Sequence, residues 1–119
     1  MTRRALGEFE HQVLLCILRR GSESYSVEVV LELESRTGKE VATAAVFVAL
    51  QRLKERGLLE DRVVEPGSEG GHSRRYFKLT PLAIEALAES RQQYLSLWDG
   101  VESMLDEAET SVAKGRGQA

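Results

Sequence analysis

A single cysteine, Cys16, excludes an internal disulfide. It sits among Val13, Leu14, Leu15, Ile17 and Leu18, with nothing cationic around it, and so reads as a small buried hydrophobe rather than a nucleophile. No apolar run approaches the length that spans a bilayer. The basic start, Thr2-Arg3-Arg4, is followed by Glu8 and Glu10 where an export signal would need its apolar stretch. The expectation is a reducing cytoplasm and no membrane partner. Catalytic groupings are missing too. The chain has two histidines, and His11 shares its segment with Cys16, so no metal site is expected. Gly67-Ser68-Glu69-Gly70-Gly71 lacks the Lys-Ser/Thr that closes a nucleotide loop. Neither enzyme chemistry nor a cofactor is expected.

Excess positive charge is also lacking, since the formal net charge is -3. The distribution matters more than the total. Between Val41 and Thr80 the cations are Arg52, Lys54, Arg56, Arg62, Arg74, Arg75 and Lys78, against Glu55, Glu60, Asp61, Glu65 and Glu69. From Pro81 to Thr110 only Arg91 opposes Glu85, Glu89, Asp99, Glu102, Asp106, Glu107 and Glu109. The middle of the chain can approach a polyanion and the acidic C-terminal third cannot.

What is present is strong periodicity. Leu6, Phe9, Val13 and Ile17 recur at helical spacing up to Arg20, and Gly21 stops them. A second helix is expected from Ser26 to about Arg36, and a third from Thr43 to Gly57 with Val46, Ala49, Leu50 and Leu53 as its inner stripe. The period then changes to two. Leu58 to Val64 and Arg75 to Leu79 read as strands around a Pro66–Gly71 loop. Thr80-Pro81 opens another helix, expected to run unbroken to about Glu109. Ile84, Leu87, Arg91, Tyr94, Trp98, Val101, Leu105 and Ala108 are spaced alternately three and four apart, as in a heptad seam. The glycine-bearing end, residues 111–119, is expected to be disordered. The fold expected is mainly α with a small β-hairpin: a winged helix-turn-helix domain over 1–80, one long C-terminal helix over 81–110, and a tail.

Several stretches then resemble the PadR-like transcriptional regulators, in their short form with a single C-terminal dimerisation helix. They are Leu6-Gly7-Glu8-Phe9-Glu10, Tyr25-Ser26, Arg52-Leu53-Lys54-Glu55-Arg56-Gly57-Leu58, and Gly70-Gly71 followed by Arg74-Arg75-Tyr76-Phe77 and Leu79-Thr80-Pro81. The resemblance covers most of the chain. It implies a sequence-specific DNA-binding regulator, a repressor acting as a homodimer on a pseudo-palindromic operator in double-stranded DNA. The chain departs from the family pattern at Ser26, at Ala45-Val46-Phe47-Val48-Ala49 and at His72-Ser73. Set against the family pattern, these departures imply a lower affinity for phosphate, and Phe47 lacks the hydroxyl that a tyrosine there would offer. A winged-helix protein-interaction module with weak or no DNA binding therefore stands as the alternative.

On a helical wheel, Thr43, Ala44, Phe47, Val48 and Gln51 lie opposite the inner stripe. Gln51 could pair with adenine, and Ala44 or Val48 could touch a thymine methyl. Tyr25 and Ser26 at the second helix, Arg52 and Lys54 on the third, and His72, Ser73, Arg74 and Arg75 in the wing complete the candidate DNA contacts. The seam implies a dimer interface of Leu87, Tyr94, Trp98, Val101 and Leu105, with Phe9 and Val13 of the partner's first helix as neighbours. In some drug-sensing relatives, aromatics of the terminal helices flank a pocket between subunits. The resemblance makes Trp98 a candidate wall for a small hydrophobic or aromatic effector there, while plain packing is what the residue alone favours.

Overall fold

In the computed structural model, which describes residues 6–67 and 71–117, the elements run α1 (Glu8–Arg19), β1 (Glu23–Ser24), α2 (Ser26–Thr37), α3 (Thr43–Glu55), β2 (Leu59–Val64), β3 (Arg74–Leu79), α4 (Pro81–Trp98) and α5 (Glu102–Gly117). The chain divides into two compact units, one through Leu87 and the other from Ala88 on.

The first unit is built around α3. Val46, Leu50 and Leu53 are fully buried and Ala49 nearly so, as the spacing requires. They meet Val13, Leu14 and Ile17 of α1, Val29 and Leu33 of α2, and Phe77 of β3 in one continuous core. Gly57 ends α3 in the left-handed region, at φ 78°. Its N–H donates to Lys54 O (2.9 Å), and the Leu58 N–H reaches back to Leu53 O (2.9 Å). Thr80 ties this turn to α4. Its Oγ1 donates to Gly57 O at 2.8 Å and accepts the Ala83 N–H at 3.3 Å.

The sheet holds three antiparallel strands in the order β1-β3-β2, one more than the expected hairpin. β1 has only two residues, Glu23 opposite Lys78 and Ser24 opposite Phe77. In the hairpin Leu59 faces Leu79, Asp61 faces Phe77, Arg62 faces Tyr76 and Val64 faces Arg74. Phe77 and Leu79 therefore turn inward, and Arg74, Tyr76 and Lys78 share the outer face.

The second unit corrects two expectations. The long helix is interrupted: α4 stops at Trp98, and Asp99-Gly100-Val101 forms a turn before α5. Gly100 stands at φ 82°, where a Cβ would be strained, and the Val101 N–H closes the turn on Trp98 O at 3.0 Å. The seam residues thus fall on two helices, with Val101 in the turn between them. The end of the chain is helical to Gly117 where disorder was expected, with Lys114 and Arg116 in its last turn, where the helix dipole favours cations. Among the described residues from Ala88 onward none is buried.

Phe77 is the largest of the fully buried side chains and is 1% exposed. Phe77→Ala should cost about 3–5 kcal/mol of unfolding free energy, read from a urea transition. A loss below about 1 kcal/mol would mean that the core closes without it.

Candidate nucleic-acid interface

α3 turns one of its faces away from the core. Thr43, Ala44, Phe47, Val48, Arg52 and Lys54 are all exposed there, Phe47 and Val48 to 46% each. Gln51 behaves differently. It is half-buried, and its Nε2 lies out of solvent with no hydrogen-bond partner among the described residues. A base edge could not reach that atom unless the side chain turned, so the adenine contact expected of Gln51 is not available in this conformation. The expected contacts that remain exposed on this face are Thr43, Ala44, Phe47 and Val48. A shallow groove of about 570 Å³ lies between these and the start of α1, with Phe9, Ala44, Val48 and Arg52 on its walls.

Most cations of the middle segment are already engaged. Arg56 Nη1 lies 3.1 Å from Glu10 Oε2, in a part-buried pair. The other Glu10 oxygen accepts the Gly7 N–H at 3.3 Å, so one carboxylate joins the start of α1 to the end of α3. Lys54 Nζ lies 3.1 Å from Asp61, and Arg75 Nη1 lies 3.6 Å from the same carboxylate. Arg62 makes a two-pronged pair with Glu23, at 2.7 and 2.8 Å. Arg52 has no ion pair among the described residues, and Arg74 has an aromatic partner instead.

That aromatic partner is Tyr25. The Arg74 Cζ lies 4.2 Å from its ring centroid. Tyr25 in turn meets Tyr76 edge to face, with centroids 5.4 Å apart and planes at 73°. Arg62 covers Tyr76 at 5.2 Å. The series Arg74, Tyr25, Tyr76, Arg62, Glu23 runs along the outer face of the sheet, two rings edge to face with a cation over each and a carboxylate at one end, and cation and ring attract electrostatically. It brings together two residues named from the sequence, Tyr25 and Arg74. It also adds three that were missed, Tyr76, Arg62 and Glu23. The alternation of β3 was the available signal for Tyr76. Nothing in the sequence pointed to Glu23, because β1 is too short to show a period. Ser26 opens α2 half-buried behind Tyr25, and His72 and Ser73 are exposed ahead of β3.

Two residues assigned to a dimer interface are unavailable to it. Val13 is fully buried in its own unit's core and Leu87 is 7% exposed, so neither offers surface to a second chain. Phe9 is half-buried against the same core. Cys16 is buried, and its thiol is pushed above the ordinary value first by burial and then by nearby Glu32, which suits an inert thiol.

Three buried-stripe helices with α3 turned outward, joined to a hairpin wing, define a winged-helix DNA-binding architecture. The sequence from 14 to 89 matches the Transcriptional regulator PadR-like family, and the chain belongs to that family. Solved structures agree on the fold. The h. salinarum RosR is 22% identical with a TM-score of 0.64, covering 98% of each chain. A PadR family transcriptional regulator from Eggerthella lenta is 25% identical with a TM-score of 0.62, covering 78% of this chain and 80% of that one. A winged-helix DNA-binding protein from STIV is 11% identical with a TM-score of 0.63, covering 82% of this chain and 98% of its own. Among curated proteins no match was found. No helix of the described residues is long and apolar enough to cross a membrane.

The hydrogen bonds from Arg62 hold the Glu23 carboxyl below the usual carboxylate range. Because that folded-state value is depressed, the pair's stabilisation is present above the unfolded value and fades as pH falls through the folded one. A carboxyl-carbon NMR titration should place the Glu23 midpoint below about 4.3, the ordinary glutamate value, with Arg62→Ala returning it there. Equal midpoints in the two proteins would show that the pair does not persist in solution.

Proposed function

We propose that this regulator is a repressor that acts in the cytoplasm as a homodimer on a pseudo-palindromic operator. The observation that carries the DNA contact is the exposed face of α3, with Arg52 exposed on the same helix and Arg74 exposed on the wing. α3 enters the major groove with Thr43, Ala44, Phe47 and Val48 toward the bases. Arg52 and Arg74, which no carboxylate engages among the described residues, take phosphates. Half-sites about one helical turn apart, roughly 10 bp, follow from two-fold symmetry.

The second unit supplies the dimer. Tyr94, Leu95, Leu97, Met104 and Leu105 are all exposed, Leu97 to 74%. An apolar surface of this kind on a short pair of helices calls for cover, and a second copy is the simplest source. Tyr94 and Trp98 stand edge to face at 6.4 Å and 70°. They offer an aromatic wall for a small hydrophobic or aromatic effector within that interface.

The alternative is a protein-interaction module. It draws support from the groove beside α3, whose walls include Phe9, Ala44 and Val48, and from the few unengaged cations. A mobility shift against random duplex at low salt separates the two. Micromolar binding that is lost as salt rises supports the regulator. No binding, with a protein partner captured on the α3 face, supports the module.

Two outcomes are expected in detail. Arg52→Ala and Arg74→Ala should each weaken binding to every duplex and flatten the slope of log K against log salt by about 0.9, the value of one phosphate contact. An unchanged slope in both would remove them from the interface. Trp98→Ala combined with Leu105→Ala should convert a dimer to monomers in sedimentation, since each side chain contributes about 1.5–3 kcal/mol on burial. It should also abolish operator binding through lost avidity. A wild type that sediments as a monomer at tens of micromolar would refute the dimer.

A further inference from the structure

Lys54, Asp61 and Arg75 belong to three different elements, α3, β2 and β3, and meet on the hairpin face that carries Phe77. Asp61 Oδ1 and Oδ2 each lie 3.1 Å from Lys54 Nζ, and Oδ2 lies 3.6 Å from Arg75 Nη1. The exposures are graded. The Asp61 side chain is 19% exposed, against 43% for Lys54 and 45% for Arg75. The carboxylate thus sits beneath two cations whose outer surfaces stay open to solvent. These are two of the cations that a count along the chain would give to DNA.

We infer that Asp61 is an internal competitor for DNA phosphate, keeping Lys54 and Arg75 on itself when the duplex is bound. The inference rests on the DNA-binding reading above. Moving either cation to the duplex would leave Asp61 unpaired and facing a phosphate of like charge, which repels it. Exposed ion pairs are otherwise weak in water, so once the carboxylate charge is removed each cation is free to take a phosphate. Each such exchange adds one phosphate contact and releases one counterion from the duplex. Asp61 therefore holds affinity down and keeps its salt dependence shallow. Base contacts on α3 do not involve Asp61, so their share of the binding energy rises and discrimination between sequences improves.

Asp61→Asn tests this, because it keeps the shape and an oxygen for Lys54 while removing the charge. Thermal unfolding checks that the variant folds, and Asp61→Ser serves as a second variant with a smaller side chain. Either should bind random duplex more tightly, on the order of tenfold at 0.1 M salt, with a slope steeper by one to two contacts at about 0.9 each. Adding Lys54→Gln should change the wild-type slope little and remove about half of the gain in the Asp61→Asn background. A folded variant with an unchanged slope, or with weaker binding, overturns the inference while leaving the DNA-binding reading intact. If neither wild type nor variant binds any duplex, both fall together.

Discussion

The burial of the inner stripe of α3 is the constraint on which the rest depends. Val46, Leu50 and Leu53 are inaccessible to solvent, and a helix cannot rotate about its axis without exposing such residues. Their burial therefore decides which side chains face outward. Phe47 and Val48 are exposed because the buried stripe of Val46, Ala49, Leu50 and Leu53 takes the opposite side of the helix. The same lock sets the hairpin, since Gly57 turns α3 directly into β2 and Thr80 pins that turn to the start of α4. One packed stripe thus positions the outward face of α3, the wing and the first turn of α4.

Charge is organised at shorter range than composition suggests. The middle segment looks mildly basic when residues are summed, yet Lys54, Arg56, Arg62 and Arg75 each lie against a carboxylate of their own unit. Exposed pairs of this kind contribute little to stability, about 0–1 kcal/mol. Their effect falls on the field that an approaching polyanion meets. The carboxylates are not scattered evenly. Glu10 works at the far end of α3, Asp61 between α3 and the wing, and Glu23 on the sheet's outer face, so each part of the surface is tuned separately.

Much of the fold was legible because it rests on long, regular periods. The stripe of α3, the stop at Gly57 and the alternation through Phe77 and Leu79 all follow from spacing. Features shorter than a period did not show. β1 has two residues and is defined by its partner β3, so only the tertiary pairing reveals it. The break at Gly100 was hidden by the three-four spacing, which continues across an Asp-Gly pair that is itself a turn signal. Val13 and Leu87 were given to an interface because a helical face says that a residue is covered and does not say by what. Gln51 shows the complementary gap: a wheel places it outward, but neighbouring elements take its amide nitrogen out of solvent. The candidate site was therefore legible in its membership on α3 and the wing. Its internal pairings, set by contacts between elements far apart in sequence, were not.

Trp98 is the only tryptophan in the chain, and it lies in the second unit, half-covered beside Tyr94. Excitation at the red edge of the protein's absorption selects it over the three tyrosines. The emission then reports the polarity around one indole ring that sits remote in sequence from α3 and the wing. The molecule thus carries its own optical gauge of the surroundings of its C-terminal helices, and no foreign dye is needed to read it.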